Sequence, residues 1–502
     1  MTDISALSGL RVLVVGLGRE GSAVAAYLAG HGFTVTATDL QPAKALGRVV
    51  ASLTERGVSL ALGEHPLSLL DQADILFVSP GIPLESPFLQ EARSRGIPLS
   101  TESRLFCHLC PAPVVGITGS SGKTTTTTLT GEILQAEVAE ADQRNVWVGG
   151  NIGRPLITVV DQIKPADVVV MELSSFQLEY FHARLNEAVD IDAIAGPEPD
   201  ALARLLAGWS PPISAILNIT PNHLDRHPTM KHYVQAKRAI IDYQSERDRL
   251  VMNLDNDMTR TIGYQFSAKT RWFSFEAQMA GGAGLVDGKI VLFDEHGTRQ
   301  PVVDRQEIRL RGTHNLYNVL AACLIAREAG ASIETMARVV KAFSGVEHRL
   351  ELVRERLDVG YYNDSIATSP ERLMAALHSF EEPIVLLAGG RDKKLPWEEA
   401  ARLMIRTTRQ VILFGEATEI IAAALNRARH EIEGIDTVIH RCANLEEAVK
   451  LSALVAQPGD VVLLSPGCTS YDAFQDFAER GERFKALVLQ LENDETQFRR
   501  FS

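Results

Sequence analysis

The sequence has little of the features that mark secreted, membrane-embedded and nucleic-acid-binding proteins. Only 5 of its 502 residues are cysteines, which suits a reducing compartment better than a disulfide-stabilised exterior. No apolar run reaches the roughly 18 residues that cross a membrane, and residues 1–5 lack the charged-then-apolar order of a signal peptide. The net charge of −13 offers no positive field to nucleic acid. We therefore expect a cytoplasmic protein without membrane insertion and without a nucleic-acid partner.

The length predicts about three domains, since a domain usually takes roughly 100–200 residues. Short β-branched runs alternate with helical stretches at both ends of the chain, which is typical of parallel sheets with helices on both faces. We expect an α/β fold with a Rossmann-like domain at 1–110, a P-loop ATPase-like domain at 111–349 and a second Rossmann-like domain at 350–502. Residues 185–212, which contain the sequence Gly-Pro-Glu-Pro, are expected to form a surface insertion.

The strongest motif is the run Gly-Ile-Thr-Gly-Ser-Ser-Gly-Lys-Thr-Thr at 116–125, directly after a predicted buried strand. Its glycines free backbone N–H groups to face a phosphate, Lys123 can reach the terminal phosphates, and Thr124 offers a hydroxyl to Mg²⁺. Gly116 lies one position further from Gly122 than the common P-loop spacing requires. The pattern predicts a nucleotide phosphate site in preference to a glycine turn without a ligand.

A second glycine motif, Gly-Leu-Gly-Arg-Glu-Gly at 16–21, follows the first predicted strand. Glycines in this position allow close approach of a phosphate, and Asp39 ends the next strand about 20 residues on, where a carboxylate can meet a ribose hydroxyl. The motif predicts a bound nucleotide. A nicotinamide dehydrogenase and a tight turn without a ligand both remain alternatives at this point.

Three polar residues beyond the phosphate loop are candidates for the same site. Glu172 ends an apolar strand, where a carboxylate can hold Mg²⁺, and the nearby Ser174 and Gln177 favour this role over a solvated strand end. His223, in His-Leu-Asp-Arg-His, has the chemistry of a metal ligand or phosphate contact, although a solvated loop histidine is the ordinary alternative. Lys237 lies in a helical stretch, where a lysine usually faces solvent.

Further polar clusters lie beside apolar runs later in the chain, at 313–318, 347–349, 363–365, 389–394 and 465–470. In open α/β sheets, ligands bind at the carboxyl ends of the strands. Each cluster alone is a weak signal, but five in order predict ligand binding along much of the chain.

Taken in order, these motifs resemble those of the Mur ligases over almost the full length of the chain. The shared segments are the phosphate loop and residues 149–153, 172–179, 223–227, 314–315, 348–349, 363–365 and 465–468. The resemblance implies an ATP-dependent ligase that activates a carboxylate as an acyl-phosphate. It further implies that glutamate, expected as the D enantiomer, is joined to UDP-N-acetylmuramoyl-L-alanine in peptidoglycan precursor synthesis, by a monomeric enzyme.

The resemblance also implies a role for individual residues. The ATP site would comprise Gly119, Ser120, Ser121, Gly122, Lys123, Thr124, Thr125, Asn315, Asn318, Arg349 and Asp364. The UDP-linked substrate would meet Gly18, Arg19, Asp39, Ser79, Gly81, Asn151, Ser174 and Gln177. Glutamate would be held by Thr368, Lys393, Ser470 and Phe477.

Metal binding and catalysis are implied in the same way. Two Mg²⁺ ions would be held by Thr124, Glu172, His223 and Lys237, and Lys123, His223 and Lys237 would be catalytic. The resemblance implies that Lys237 is carbamylated. A cationic lysine would repel the metal, whereas a carbamate carries a negative charge.

One departure from the resemblance leaves the amino acid open. Ile366 follows the Asp-Ser pair, where the best-known glutamate-adding members have lysine, beside the expected amino-acid pocket. A ligase that adds L-glutamate or another amino acid is therefore an alternative. A nicotinamide dehydrogenase built on residues 10–40 and a non-catalytic nucleotide-binding partner are alternatives of other classes.

Overall fold

The computed structural model describes residues 4–141, 144–222, 226–432 and 437–492, with residues 140–141 and 267–269 described by their backbone only. The chain divides into two compact units, Met1–Glu307 with His314–Lys341, and Ile308–Thr313 with Ala342–Ser502. No helix in the described part of the chain is long and apolar enough to cross a membrane.

The first unit begins with a five-stranded parallel sheet of order β3-β2-β1-β4-β5. Its strands are β1 (Arg11–Val15), β2 (Thr34–Asp39), β3 (Ser59–Leu62), β4 (Ile75–Val78) and β5 (Leu99–Ser100). Its helices are α1 (Arg19–Gly30), α2 (Ala43–Leu46), α3 (Arg48–Glu55), α4 (Pro87–Ser94) and α5 (Glu102–Leu109). Four of the five residues of β1 are buried, as expected for a strand covered on both faces.

The second sheet of this unit has nine strands in the order β14-β13-β12-β11-β10-β9-β6-β8-β7. The strands are β6 (Val114–Thr118), β7 (Val146–Gly150), β8 (Val168–Glu172), β9 (Ile213–Ile216), β10 (Arg249–Asn253), β11 (Thr270–Ser274), β12 (Ala283–Val286), β13 (Lys289–Phe293) and β14 (Arg299–Asp304). The helices are α6 (Lys123–Ala141), α7 (Ser175–Leu178), α8 (Pro199–Leu206), α9 (Met230–Arg238), α10 (Asp257–Gly263), α11 (Thr313–Glu328) and α12 (Ile333–Ala342). In this spatial order the seven strands from β12 to β7, β6 included, pair in parallel. β13 and β14 continue the sheet in antiparallel pairing beyond β12.

The segment 185–212 is not the surface insertion that we expected. Its helix α8 buries four residues in the core that both sheets share: Ala201, Leu202, Leu205 and Leu206. The buried Arg104 of α5 donates to the main-chain oxygens of Leu205 and Ala207, at 2.7 and 2.5 Å, and to that of Tyr180. The expectation was wrong because α8 is only two turns long, too short for its apolar face to stand out beside the prolines.

The second unit contains a six-stranded sheet of order β15-β16-β20-β17-β18-β19, in which only β15 is antiparallel to its neighbour. The strands are β15 (Glu351–Arg356), β16 (Val359–Asn363), β17 (Ile384–Gly389), β18 (Thr408–Phe414), β19 (Val438–Arg441) and β20 (Val461–Gly467). The helices are α13 (Pro370–Leu377), α14 (Glu398–Thr407), α15 (Thr418–Glu431), α16 (Leu445–Val455) and α17 (Phe477–Leu489). Two apolar clusters cover the two faces of this sheet. The predicted α/β fold class is confirmed, whereas the domain boundaries near residues 110 and 350 stay predictions.

Candidate active site

The phosphate loop connects the buried strand β6 to α6, whose first residue is Lys123. Gly122 has a φ of +78°, and a Cβ atom at this position would lie 2.2 Å from Oδ1 of Asn318. Asn318 donates to Oδ1 of Asn315 at 2.9 Å, so both asparagines predicted for the ATP site lie on one face of α11, and Asn318 closes against the loop. Only glycine fits this approach, since the backbone is left-handed and the space is filled.

Two further side chains, those of Asn218 and Tyr233, contact the phosphate loop, and sequence reasoning missed both of them. The backbone N–H of Ser121 donates to Oδ1 of Asn218 at 2.9 Å. Ser120 Oγ donates to the main-chain oxygen of Thr220 at 3.0 Å and lies 2.9 Å from the Tyr233 hydroxyl. Asn218 follows β9 and could have been found as a polar residue at a strand end. Tyr233 lies within α9 and gave no such signal.

Glu172 and Thr124 lie together, as predicted for a metal site. Glu172 is 1% exposed and pairs with Ile117 of β6 in the sheet register, which places it beside the phosphate loop. Its Oε2 accepts from Thr124 Oγ1 at 2.9 Å, and its Oε1 accepts from Asn151 Nδ2 at 2.7 Å. Both of these donors are neutral groups.

Lys237 is buried, at 1% exposure, instead of facing solvent. Its Nζ donates to the main-chain oxygen of Gly119 at 2.9 Å and to Thr118 Oγ1 at 3.2 Å. Lys123 Nζ donates to the same oxygen of Gly119 at 3.0 Å. Burial and, after it, the charge of Lys123 lower the pKa of Lys237 well below its ordinary value, against the opposing effect of Glu172.

His223 lies outside the described residues, but the end of its motif is visible. His227 is buried, with Nδ1 3.0 Å from Glu179 Oε1 and Nε2 3.0 Å from Ser175 Oγ. Arg226 donates to the main-chain oxygen of Ile82 at 3.0 Å. These contacts tie the end of this loop to α7 and to the chain that follows β4.

A cleft lies between the first glycine motif and the strand ends of the second sheet. It is lined by Arg19, Glu20, Ser79, Pro80, Gly81, Asn151, Ser174 and Phe176, five of which were predicted for the UDP-linked substrate. Arg19 donates to the main-chain oxygens of Gly153 and Asn151, at 2.8 and 3.1 Å. Gly18 adjoins this cleft, since a Cβ atom on it would lie 3.5 Å from Ser79 Oγ.

Two other residues predicted for the UDP-linked substrate bind protein groups. Asp39 accepts from the backbone N–H of Leu17 at 2.6 Å and that of Gln41 at 2.8 Å, so it fixes the glycine turn. Gln177 is fully buried, and its Oε1 accepts from the backbone N–H and the hydroxyl of Ser174, at 2.9 and 3.0 Å. Gln177 therefore supports the cleft from behind instead of lining it.

In the second unit, the predicted residues gather around the ends of β16 and β20. Asp364 is buried and accepts from Ser465 Oγ at 2.8 Å, and burial raises its pKa to about 7, against the opposing effects of Ser465 and Arg349. Lys393 Nζ donates to Thr368 Oγ1 at 3.2 Å, so two residues predicted for glutamate meet.

Of the other two residues predicted for glutamate, Ser470 follows β20 and Phe477 is the first residue of α17. Ser470 is buried, and the main-chain oxygen of Phe477 accepts from Ser365 Oγ at 2.7 Å. Sequence reasoning missed Arg480, which is fully buried and donates to Ser365 Oγ at 3.0 Å and to the main-chain oxygen of Cys468 at 3.1 Å. Arg480 thereby fixes the segments that carry these residues.

A phosphate loop, a buried carboxylate at the neighbouring strand end and a buried lysine amine define the site of an enzyme that uses a nucleoside triphosphate. Residues 117–195 and 200–326 match the family model of the Mur ligase middle domain. Residues 10–101 match that of the Mur ligase MurD-like N-terminal domain, and residues 348–468 match that of the Mur ligase glutamate ligase domain. The chain belongs to the Mur ligase family. The resemblance predicted from the motifs is confirmed, and the family assignment replaces the dehydrogenase alternative for residues 10–40.

Curated relatives agree over nearly the whole chain. It is 42% identical to the UDP-N-acetylmuramoylalanine–D-glutamate ligase of Symbiobacterium thermophilum over 479 residues, which cover 95% of this chain and 97% of the relative. It is 38% identical to the ligase of the same name from Clostridium novyi over 478 residues, covering 95% and 96%.

A solved structure shows the shared fold. The UDP-N-acetylmuramate–alanine ligase of Thermotoga maritima matches with a TM-score of 0.52 at 17% identity, covering 95% of this chain and 98% of that one. At this identity the likeness concerns the fold alone.

Proposed function

We propose that this chain is an ATP-dependent ligase that joins D-glutamate to UDP-N-acetylmuramoyl-L-alanine. The observation that carries the proposed chemistry is the meeting of Thr124, Glu172 and Lys237 with the phosphate loop at one end of the second sheet. The identity of both substrates is supported by the names of relatives that match the chain almost from end to end. In this proposal the enzyme acts in the cytoplasm, as a monomer, in peptidoglycan precursor synthesis.

The donor set around Glu172 fits Mg²⁺. A buried carboxylate is normally paired with a cation or bound to a metal, and Glu172 has only neutral donors within hydrogen-bond distance among the described residues. Thr124, Glu172, Lys237 and the predicted His223 would hold two ions. When bound, Mg²⁺ would neutralise the charge on the phosphate oxygens of ATP.

Carbamylation of Lys237 forms part of the proposal. A neutral lysine amine attacks carbon dioxide, forms an N–C bond and releases one proton, which leaves a carbamate with one negative charge. The surroundings of Lys237 favour the neutral amine, because they are buried and include a second lysine, Lys123. The carbamate would supply the metal site with a second anionic group beside Glu172.

The phosphoryl step would use the loop and its lysine. The free carboxylate of the UDP-linked acceptor attacks the γ-phosphorus of ATP, and ADP leaves with the bridging oxygen. Lys123 and the backbone N–H groups at the start of α6 would stabilise the charge that spreads over the transferred phosphoryl group. The other residues that the resemblance assigns to ATP would position it; they are Gly119 to Thr125, Asn315, Asn318, Arg349 and Asp364.

The second step forms the amide. The glutamate amine attacks the acyl-phosphate carbon, and inorganic phosphate leaves with the oxygen that came from the acceptor carboxylate. Lys393 would pair with a glutamate carboxylate, with Thr368, Ser470 and Phe477 completing the pocket. The acceptor itself would lie in the cleft that Arg19, Ser79, Gly81, Asn151 and Ser174 line, with Gly18 and Asp39 shaping the glycine turn and Gln177 behind it.

Oxygen labelling tests this route. With ¹⁸O in the alanine carboxylate of UDP-N-acetylmuramoyl-L-alanine, turnover with ATP and D-glutamate should transfer one labelled oxygen to the released phosphate. Omission of either the acceptor or glutamate should stop the release of amide product. Product formed with unlabelled phosphate would contradict the acyl-phosphate.

A further inference from the structure

Two glutamates from different helices lie close together at the wall of the cleft. Glu20 is in the first turn of α1, is partly buried and lines the cleft, whereas Glu102 opens α5 and is 2% exposed. The hydroxyl oxygen of Ser103 lies between them, 3.4 Å from Glu20 Oε2 and 3.1 Å from Glu102 Oε2.

The other contacts of the two carboxyl groups come from neutral donors. Gln177 Nε2 donates to Glu20 Oε1 at 2.9 Å and to Ser103 Oγ at 3.1 Å. The backbone N–H of Ile157 donates to Glu102 Oε1 at 2.9 Å. Both amide hydrogens of Gln177 are therefore used, and Ser103 already accepts one hydrogen bond.

Among the described residues, the protein donors of this network carry too few hydrogen atoms for two ionised carboxylates. The Ser103 hydroxyl carries one hydrogen, which can be donated to Glu20 or to Glu102 but not to both. If Glu20 carries a proton on Oε2, it donates to Ser103, and Ser103 donates to Glu102. Each oxygen of the two carboxyl groups then has a partner, and the two glutamates share one negative charge instead of two.

The geometry favours Glu20 as the holder of the proton, because the Ser103 hydroxyl lies nearer to Glu102 Oε2, at 3.1 Å, than to Glu20 Oε2, at 3.4 Å. Burial and then the charge of Glu102 raise the pKa of Glu20 to about 8, and burial also raises the pKa of Glu102. The charged groups that face Glu20 are Arg19 on its own helix and Glu102 on α5, and α7 contributes the neutral Gln177. Arg19 opposes the shift without reversing it.

We propose that Glu20 is a neutral carboxylic acid at neutral pH and a positioning residue for the substrate cleft. The proposal rests on the proposed function, since it assigns this cleft to the UDP-linked acceptor. Glu20 orients the amide of Gln177, whose oxygen in turn holds the backbone N–H and hydroxyl of Ser174 at the cleft wall. Loss of the proton would add a negative charge to a cleft that takes a diphosphate and would strain the network that holds Ser174.

The first experiment tests the proton without any ligand. The infrared spectrum of the whole chain should contain a carbonyl band of a protonated carboxyl group that persists one pH unit below the pKa of about 8 and disappears one unit above it. Glu20→Gln, which keeps a neutral group with an N–H donor, should lose the part of this band that belongs to Glu20 and keep the part from Asp364, whose pKa is about 7. Glu55→Gln, a substitution of an exposed glutamate on α3, should retain it. A spectrum of Glu20→Gln identical to that of the unmodified chain would overturn the proposal.

The second experiment tests positioning, with UDP-N-acetylmuramoyl-L-alanine as the probe in a calorimeter. Its affinity for the unmodified chain should fall several-fold between one pH unit below and one pH unit above the Glu20 pKa of about 8. The affinity of Glu55→Gln should fall by the same factor. Glu20→Gln should keep nearly constant affinity, because its amide does not lose a proton in this pH range. Any ionisation of the probe itself affects all three proteins equally. Parallel pH profiles in all three would overturn the positioning role. Absence of binding at every pH would contradict the proposed function and this role with it, while the infrared result still decides the protonation of Glu20.

Discussion

Lys123 and Lys237 donate hydrogen bonds to the same atom, the main-chain oxygen of Gly119, at 3.0 and 2.9 Å. Two ammonium groups on one carbonyl oxygen would repel each other, so this pairing favours a neutral Lys237, the more buried of the two. A neutral amine is the reactive form toward carbon dioxide. The relationship therefore links the phosphate loop to the proposed carbamate, and it separates the roles of the two lysines.

Lys237→Ala should lose most of the activity, because the proposed carbamate is removed together with the side chain. A short carboxylate such as acetate or formate should restore part of the turnover by occupying the vacated space beside Glu172. The rate of phosphate release with and without added acetate measures this. Lys123→Ala serves as the control and should gain nothing from acetate. Equal effects of acetate on both variants would contradict the carbamate.

Lys123→Ala should lower kcat on the order of a hundredfold or more, since it removes a cation aimed at the developing phosphoryl charge. The circular dichroism spectrum and the unfolding midpoint should stay close to those of the unmodified chain. Lys231→Ala, a substitution of an exposed lysine on α9, is the matched control and should leave kcat unchanged. Near-normal turnover of Lys123→Ala would rule out the assigned phosphate loop.

Gly122→Ala should weaken ATP binding strongly, because its new Cβ would meet Oδ1 of Asn318 at 2.2 Å. Gly57→Ala separates this clash from backbone strain, since Gly57 has a φ of +79° and no neighbouring atom within 4 Å of an added Cβ. Gly57→Ala should cost about 1–2 kcal/mol of unfolding free energy and leave ATP affinity unchanged. Calorimetric titration with ATP distinguishes the two variants. Equal ATP affinities would show that Asn318 does not close against the loop.

Much of the site could be predicted because its residues lie in short motifs beside buried strands. The loop residues and Glu172 follow β6 and β8, and the parallel register of these strands brings them together. Lys237 was assigned from the family pattern alone, since its helical surroundings predicted a solvated residue. Its burial depends on the fold of the whole sheet around α9, which a local pattern does not encode.

The sequence patterns did not predict contacts between segments that lie far apart in the chain. Gln177, whose contact with substrate stays a prediction, donates a hydrogen bond to Glu20, 157 positions away. The contact between Arg104 and the end of α8 was missed for a similar reason. The acceptors there are main-chain oxygens about a hundred residues from Arg104, and a pattern of side chains does not indicate main-chain acceptors.

Arg104→Met should lower the free energy of unfolding on the order of 3 kcal/mol, because the buried carbonyl oxygens of Leu205 and Tyr180 lose their donor while the volume of the side chain is largely kept. The urea midpoint of the whole chain measures the change. Arg204→Met on the exposed face of α8 is the control and should change the midpoint little. Equal midpoints for the two variants would show that Arg104 does not hold α8 in place.

The central claim is the addition of D-glutamate to UDP-N-acetylmuramoyl-L-alanine. The choice of enantiomer is the part that most needs a test, because Ile366 lies beside the expected amino-acid pocket in place of the usual lysine. The most direct measurement is phosphate release from ATP by the purified chain with this acceptor, with D- and L-glutamate supplied side by side. We predict release that depends on the acceptor and on D-glutamate, with L-glutamate close to the background without amino acid. Release with L-glutamate at an equal or higher rate, or release with neither enantiomer, would contradict the account.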